Sequence, residues 1–483
     1  VELAAGGGKT WLLVDTVRQV AGGSGKTLVL THTHAGVHSI RNKMRTLGVA
    51  SDAAHVGTIT SLAFELVRSY SRIAGMDVPP IPDWADSNDY IEGARRVMRN
   101  PHVRDVFKVS YSHLLVDEYQ DCSLAQHMLV TEFSHVISNC AVFGDPLQGI
   151  FGFRDPLVDW NTDVLPHFPA HSFDYFPRRW MEHNQPLGHW LYRMRDRLRP
   201  GASLTIDNDA PSGVTFIKGT PRRTELIQAA LRPRPDGESV VIITPPDKTS
   251  ARTIAAQLKG TYGTMEDVRG TFMIDALTEL ENAAPERRAR WLADMAKSCF
   301  TGYANVNKTV LNKLATGQPV AGLTRPGLEQ TLAAFDRVLT DPTFAVISDA
   351  MRDIRCAKEA QLHSREAWTD IAAALERCGT DPERSAVTEL GRIRDRLRHS
   401  GRPATARVVS RTALIKGLEF DHVIVANLER QTDHCNLYVA LSRARKTLTI
   451  IGKDNTITIT ETKRTPNTKG GRSTSDAPRN ASH

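Results

Sequence analysis

The stretch "VELAAGGGKTWLLVDTV" (residues 1–17) sets a Gly-rich turn between a short apolar run and a segment whose Leu12, Leu13, Val17 and Val20 recur at helical spacing. A turn with a strand before it and a helix after it binds phosphate, because its backbone N–H groups and the helix N-terminus converge on one point. A second Gly-Lys-Thr, in "GSGKT" (23–27), is followed by "LVLTHT" (28–33), which reads as a strand. That turn runs from helix to strand and aims no helix N-terminus at a ligand. The first loop is therefore the candidate. Ala5, Gly6, Gly7 and Gly8 would let the backbone approach the phosphates, Lys9 would reach the β- and γ-phosphates, and Thr10 would ligate Mg²⁺. Leu3 stands where this kind of loop usually has Gly or Ala.

Working outward, short apolar strands alternate with helical segments to about residue 66 and return at "HLLVDE" (113–118) and "CAVFGD" (140–145), which predicts a parallel α/β core. Between them a Pro- and Asp-rich run, "MDVPPIPDWADSN" (76–88), and a helix from about Tyr90 read as a small insertion. Strands at 213–219 and 239–246 begin a second α/β pattern that resumes at 406–412, 421–428 and 447–452. The expected division is a first core from 1–66 and 112–171 with an insertion at 67–111, and a second core from 172–265 and 403–455 with a helical insertion at 266–402. The Thr/Asn/Ser/Gly-rich remainder, 456–483, reads as a disordered basic tail.

A chain of 483 residues with 41% hydrophobic and 24% charged residues has the composition of a globular protein of about three domains. Its net charge of +7 suits a polyanionic partner. Six cysteines without a CxxC pair point to reduced thiols and a cytoplasmic setting, and no apolar run is long enough to span a bilayer.

"LLVDEYQD" (114–121) puts Asp117 and Glu118 at the carboxyl end of a strand, where open α/β sheets bind ligands. Asp117 would complete the Mg²⁺ site and Glu118 would orient or deprotonate an attacking water; the alternative is a pair capping the helix that starts near Ser123. "VFGDPLQGIFGFR" (142–154) adds Gln148, placed to bridge a γ-phosphate to the adjoining surface, then Phe151, Phe153 and Arg154, which either stack on bases or pack in a core. For "HTHAGVH" (32–38) a zinc site is the rival thought, without Cys or carboxylate partners nearby.

Taken in order, these motifs resemble those of UvrD-like superfamily 1 DNA helicases from the first strand to about residue 452. "AAGGGKT" resembles Walker A, "LTHTHAGVHSIRNKM" (30–44) and "VGTITSLAFELV" (56–67) the two motifs after it, "DEYQD" Walker B, and "GDPLQGIFGFR" the glutamine-sensor motif. "FPRRWMEHNQPLGHWL" (176–191), "IKGLEFDHVIV" (415–425) and "LYVALSRARKTL" (437–448) are similar to motifs IV, V and VI. The resemblance implies two RecA-like cores with ATP and Mg²⁺ between them. It also implies Arg179 and Arg443 as arginine fingers, Glu419 at the ribose, and Thr31, Thr33, His34, Thr58, Phe151, Phe153 and Arg154 on the DNA strand. Ala413 departs from the family's His in motif V, and the family's adenine-reading glutamine segment lies upstream of where this chain starts.

The expected activity is ATP-driven translocation or unwinding, 3′ to 5′ on single-stranded DNA by the resemblance, with single-stranded and junction DNA as partners. A second reading is a DNA-gated ATPase switch that partners a nuclease or a replication or defence protein without unwinding. A third, a P-loop kinase for a small substrate, leaves Arg443 and the second core unexplained.

Overall fold

The computed structural model describes residues 1–462 except 24, 80–85, 153, 154, 172, 207–209, 248, 267–269, 356–359, 380, 382 and 401–405, and only the backbone of 395–400. Its strands are β1 (Lys26–Thr31), β2 (Ala54–Thr58), β3 (Tyr111–Val116), β4 (Asn139–Val142), β5 (Ser203–Thr205), β6 (Val214–Lys218), β7 (Val240–Thr244), β8 (Gly263–Thr264), β9 (Phe300–Thr301), β10 (Gln361–Leu362), β11 (Arg407–Arg411), β12 (Phe420–Val425), β13 (Ala444–Gly452) and β14 (Thr456–Thr458). Two all-parallel sheets dominate, ordered β2-β1-β3-β4 and β6-β13-β12-β7-β11-β8.

Both faces of a parallel sheet are covered by helices, so its strands are apolar throughout rather than alternating. In β1, Val29 packs with Leu13 and Val17 of α1 (Lys9–Val20) and Ile40 of α2 (His34–Thr46). Leu28 and Leu30 face the other way, against Ile59 and Leu62 of α3 (Ile59–Ser69). The helices at Ser87–Met98 and Pro101–Ser110 share that second cluster through Tyr90, Val97 and Phe107, so among the described residues the smaller insertion has no core of its own. The helices from Thr271–Asn282 to Ala386–Ser400 do have one, built on Leu277, Trp291, Phe335 and Trp368. They leave after β8 and return at β11, which pair with each other.

Two expectations change. The strand at Val1–Leu3 is a single parallel bridge from Glu2 to Gly144, held by Val1 N to Val142 O (2.7 Å) and Leu3 N to Gly144 O (3.2 Å). The stretch from 456, expected as a disordered tail, is ordered at its start. Thr456–Thr458 pairs antiparallel with Ser203–Thr205, because alternate Ile457 and Ile459 bury against the second core; 463–483 lie outside the described residues.

Candidate functional site

The loop before α1 turns through Gly6 (φ 71°) and Gly8 (φ 94°), left-handed conformations that favour glycine. Gly8 is the residue before the helix, so the free N–H groups of the first turn of α1 belong to Lys9 and its successors. Lys9 is buried, and its ammonium donates to Leu3 O at 2.9 Å. Leu3 itself is buried and offers the site a carbonyl rather than a side chain. Lys26, in contrast, is exposed at the first position of β1, with no helix following it.

Asp117 and Glu118 follow β3, whose pairing Asp117 prolongs through its N–H to Leu30 O (2.8 Å). The Thr10 hydroxyl donates to Asp117 Oδ2 at 3.1 Å, tying the phosphate loop to the acidic pair. Glu118 adopts φ 57°, and its N–H is taken by Asp117 Oδ1 (3.0 Å). The helix Leu124–Ser134 is capped by Ser123 and Gln126 in a reciprocal box, so neither acid serves as its cap. Burial and the neighbouring Glu118 charge raise the Asp117 carboxyl above its ordinary range. Burial acts the same way on Glu118, but Lys9 and Lys416 outweigh it and hold that group low. A buried carboxylate, a half-buried one and a hydroxyl are hard oxygen donors, a set that fits a small divalent cation.

Gln148 sits just beyond β4, with its amide N–H donated to Asp145 Oδ2 (2.9 Å) and its amide oxygen receiving Arg443 Nη2 (3.1 Å). Arg443 comes from the end of the second sheet's helix His434–Leu441, is 1% exposed, and is anchored by Val439 O at 3.0 Å and Ser442 Oγ at 2.9 Å. Its pKa falls to about 10 through burial and the nearby Arg179 charge. Arg179 pairs with Glu419 (2.9 Å) and donates to Ser442 O (2.6 Å), while its backbone N–H reaches Gly6 O (3.1 Å). Burial would raise the Glu419 carboxyl, but Arg179 and Arg443 together hold it down. Ala5, Gly6, Gly7, Gly8, Lys9, Thr10, Asp117, Glu118 and Gln148 from the first sheet thus meet Arg179, Glu419 and Arg443 from the second in one cleft.

The DNA candidates are less uniform. Thr33 and Thr58 cap α2 and α3 by accepting from Gly36 N and Ser61 N, both at 3.0 Å. Thr31 and Thr58 are buried, which leaves them to shape the strand edge rather than present a side chain. Thr33 is exposed and His34 half-buried at the start of α2. Phe151 is 37% exposed, with the Lys416 ammonium 4.8 Å from its ring centroid. Phe153 and Arg154 lie outside the described residues. Among the described residues, no group of His, Cys, Asp and Glu gathers at "HTHAGVH" or elsewhere as a metal cluster.

With this geometry in view, residues 83–161 match the family of the UvrD/REP helicase N-terminal domain, and 328–452 match that of the viral superfamily 1 RNA helicase core domain. The first of these stretches is thus UvrD-like and the second resembles a superfamily 1 helicase core. It is similar to a DNA helicase II of Rickettsia typhi (strain ATCC VR-144 / Wilmington), 32% identical over 61 residues, 13% of this chain and 9% of that protein. It is also similar to the ATP-dependent DNA helicase PcrA of Bacillus subtilis (strain 168), 27% identical over 131 residues, 23% of this chain and 17% of that one. The chain thus spans less than a fifth of the length of either relative. The first family match covers Asp117, Glu118 and Gln148, and the second covers Glu419 and Arg443; the phosphate loop lies outside both.

Four residues in or behind the cleft went unread in the sequence. The Lys416 ammonium is bound by both oxygens of Asp121 and by Gln148 O, joining the second sheet to the first. Burial lowers the Lys43 pKa against the pull of Asp117, Glu419 and Glu118, which places its charge at the cleft. Trp180 is fully buried on Gly6, with its indole N–H on Ala444 O (2.6 Å). Arg195 contacts Asp145 at 2.6 Å. Lys43, Lys416 and Trp180 stand inside quoted motifs, so a charge or ring there was a usable signal; Arg195 had none.

Proposed function

We propose that the chain is an ATP-dependent motor on single-stranded DNA, a helicase or translocase in which the two parallel sheets are RecA-like cores closing on ATP. The bond between Gln148 and Arg443 carries the reading, because it joins the residue suited to sensing a γ-phosphate to an arginine of the opposite sheet. In this assignment the N–H groups of Gly6, Gly8, Lys9 and Thr10 and the Lys9 ammonium hold the phosphates, those of Ala5 and Gly7 being taken by Tyr438 and Ala4, and Thr10 and Asp117 hold Mg²⁺, which when bound screens the triphosphate charge. Glu118 orients the attacking water and takes its proton, and it stays ionised for that task because Lys9 and Lys416 hold its pKa down. Arg179 and Arg443 stabilise charge on the transferred phosphoryl group, a contribution of about 10³-fold or more for arginines of this kind. Glu419 meets the ribose or steers Arg179, with which it is paired.

The strand would cross the first core over Thr33, His34 and Phe151, with Phe153 and Arg154 completing the grip and Thr31 and Thr58 shaping the edge. Aromatic platforms suit single strands of any sequence. Polarity of 3′ to 5′ and a preference for single-stranded and junction DNA rest on the family resemblance, the division at 67–111 and 266–402 on the order of strand and helix patterns, and a cytoplasmic setting on cysteines without a CxxC pair. No helix among the described residues is long and apolar enough to cross a membrane.

One observation favours the second reading, a DNA-gated switch working with a nuclease or similar partner. Ala413 packs on Ile150, Cys435 and Val439, so the position where the family has His is apolar here. Two measurements decide between them: ATP hydrolysis with and without single-stranded DNA, then displacement of a labelled strand. Hydrolysis that DNA does not stimulate overturns both readings, and stimulation without displacement or translocation selects the switch.

A further inference from the structure

The amide of Gln148 has a fixed direction, and the groups that fix it lead away from the cleft. Its nitrogen donates to Asp145 Oδ2 (2.9 Å), which leaves its oxygen for Arg443 Nη2 (3.1 Å). The other carboxylate oxygen of Asp145 receives Arg195 Nη1 at 2.6 Å, and Asp145 is wholly buried. Among the described residues, Arg195 is the one cation paired with it. Arg195 stands on the helix Gln185–Arg197 of the second core. The same nitrogen donates to the Tyr438 hydroxyl (3.0 Å), which in turn accepts the N–H of Ala5 in the phosphate loop (3.0 Å). From its backbone, Asp145 N–H donates to Gln120 Oε1 (3.0 Å), and Gln120 Nε2 donates to Glu118. One guanidinium outside the cleft thus braces a carboxylate that touches both the sensor amide and, through Gln120, the water-orienting acid.

We propose that Arg195 is a positioning residue for ATP hydrolysis, acting through Asp145 to hold the Gln148 amide with its oxygen turned to Arg443. The chemistry is that of a buried carboxylate stripped of its cation, which either takes up a proton or draws neighbouring donors to itself. A protonated carboxyl donates where it had accepted, and the amide nitrogen of Gln148 loses its partner. An unpaired carboxylate keeps that nitrogen more tightly and sets a bare negative charge near the phosphate. In the first case the amide is free to turn away from Arg443, and in the second it keeps its direction but an uncompensated negative charge opposes the phosphate it must sense, while the phosphate loop still binds ATP.

The inference rests on the ATPase reading of the cleft, so that reading is checked first by wild-type turnover that Lys9→Ala lowers at least about tenfold. No wild-type turnover sinks the reading itself. With turnover established, kcat and KM for ATP are measured at saturating single-stranded DNA for Arg195→Gln, Arg195→Lys, Gln148→Ala and the Arg195→Gln/Gln148→Ala pair, each checked by thermal melting. Arg195→Gln should lower kcat roughly tenfold with KM within about threefold, the pattern of an interaction realised in the transition state. Arg195→Lys should recover part of the loss, and the pair should be no slower than Gln148→Ala alone, since both changes act at one amide. Wild-type kcat in Arg195→Gln, a rise in KM alone, or losses that multiply in the pair overturn the proposal. Should Arg195→Gln not fold, Asp145→Asn/Arg195→Gln removes both charges together. A loss in that variant that Gln148→Ala does not deepen supports the relay, and a wild-type kcat refutes it.

Discussion

Two lysines each follow a glycine and precede a threonine, and the structure separates them sharply enough to set a magnitude. Lys9 is 8% exposed, in the first turn of α1, with its ammonium 2.9 Å from Leu3 O. Lys9→Ala removes a charge-assisted contact to the phosphates worth about 1.5–3 kcal/mol. At about 1.4 kcal/mol per decade that is a loss of roughly 10- to 10²-fold in turnover. Lys26 is exposed at the start of β1. Surface changes of that kind fall within about 0.5 kcal/mol, so Lys26→Ala should stay within roughly twofold of the wild type. Phosphate release is measured at saturating ATP and single-stranded DNA, with melting curves for both variants. Equal losses, or the larger one in Lys26→Ala, would refute the choice of loop and the cleft built on it.

Glu118→Gln keeps the shape and the contact with Gln120 but removes the base, so it should bind a fluorescent ATP analogue normally and turn ATP over at least ~10²-fold more slowly in a single-turnover assay. Undiminished turnover leaves that carboxylate without a chemical task. Arg179→Ala and Arg443→Ala should each lower hydrolysis by ~10³-fold while nucleotide-free binding of a labelled oligonucleotide persists, because both arginines come from the second core; normal hydrolysis in either variant contradicts a site shared between cores. Acid should destabilise the fold through two histidines that it keeps neutral. Burial and the Lys416 charge lower His32 to about 4, and burial and Arg252 lower His363 to about 4. The unfolded chain takes up these protons near pH 6.5 and the folded one only near 4, so this stability is present above 6.5 and is lost as pH falls towards 4. Melting midpoints between pH 7 and 4.5 should fall, and less steeply in His363→Gln; a flat profile would speak against it.

The strands were legible because apolar, β-branched runs such as Val240–Thr244 are buried along their whole length in a parallel sheet, and the motif residues stand at strand ends, where the proposed phosphate chemistry would need them. What escaped was set by contacts with no local signal. Arg195 meets Asp145 across 50 residues and Lys416 meets Asp121 across 295, separations at which spacing carries no information. The end of the second core failed differently. Thr- and Asn-rich composition outweighed the alternation of Ile457 and Ile459, which was the better guide. Thr33 and Thr58 carried two meanings at once, since a Thr before a helix is both an N-cap and an exposed hydroxyl, and only burial distinguishes Thr58 from Thr33.

The same packing explains why the phosphate loop needs glycine beyond its turn. A Cβ built on Gly6 would stand 2.3 Å from Cζ3 of Trp180, and one on Gly8 would stand 2.6 Å from Cδ of Arg178. The loop therefore has no slack against the segment that carries Arg178, Arg179 and Trp180. A displacement of a few tenths of an ångström at Gly6 is passed to a ring that cannot be compressed. Trp180 is bonded through its indole N–H to Ala444 O, and Ala444 follows Arg443 directly. Side chains locked by packing transmit movement where mobile ones absorb it. On the proposed reading, phosphate arriving at the loop is felt at Arg443 by this route as well as through Gln148, and the two routes meet on the one arginine that faces the sensor amide.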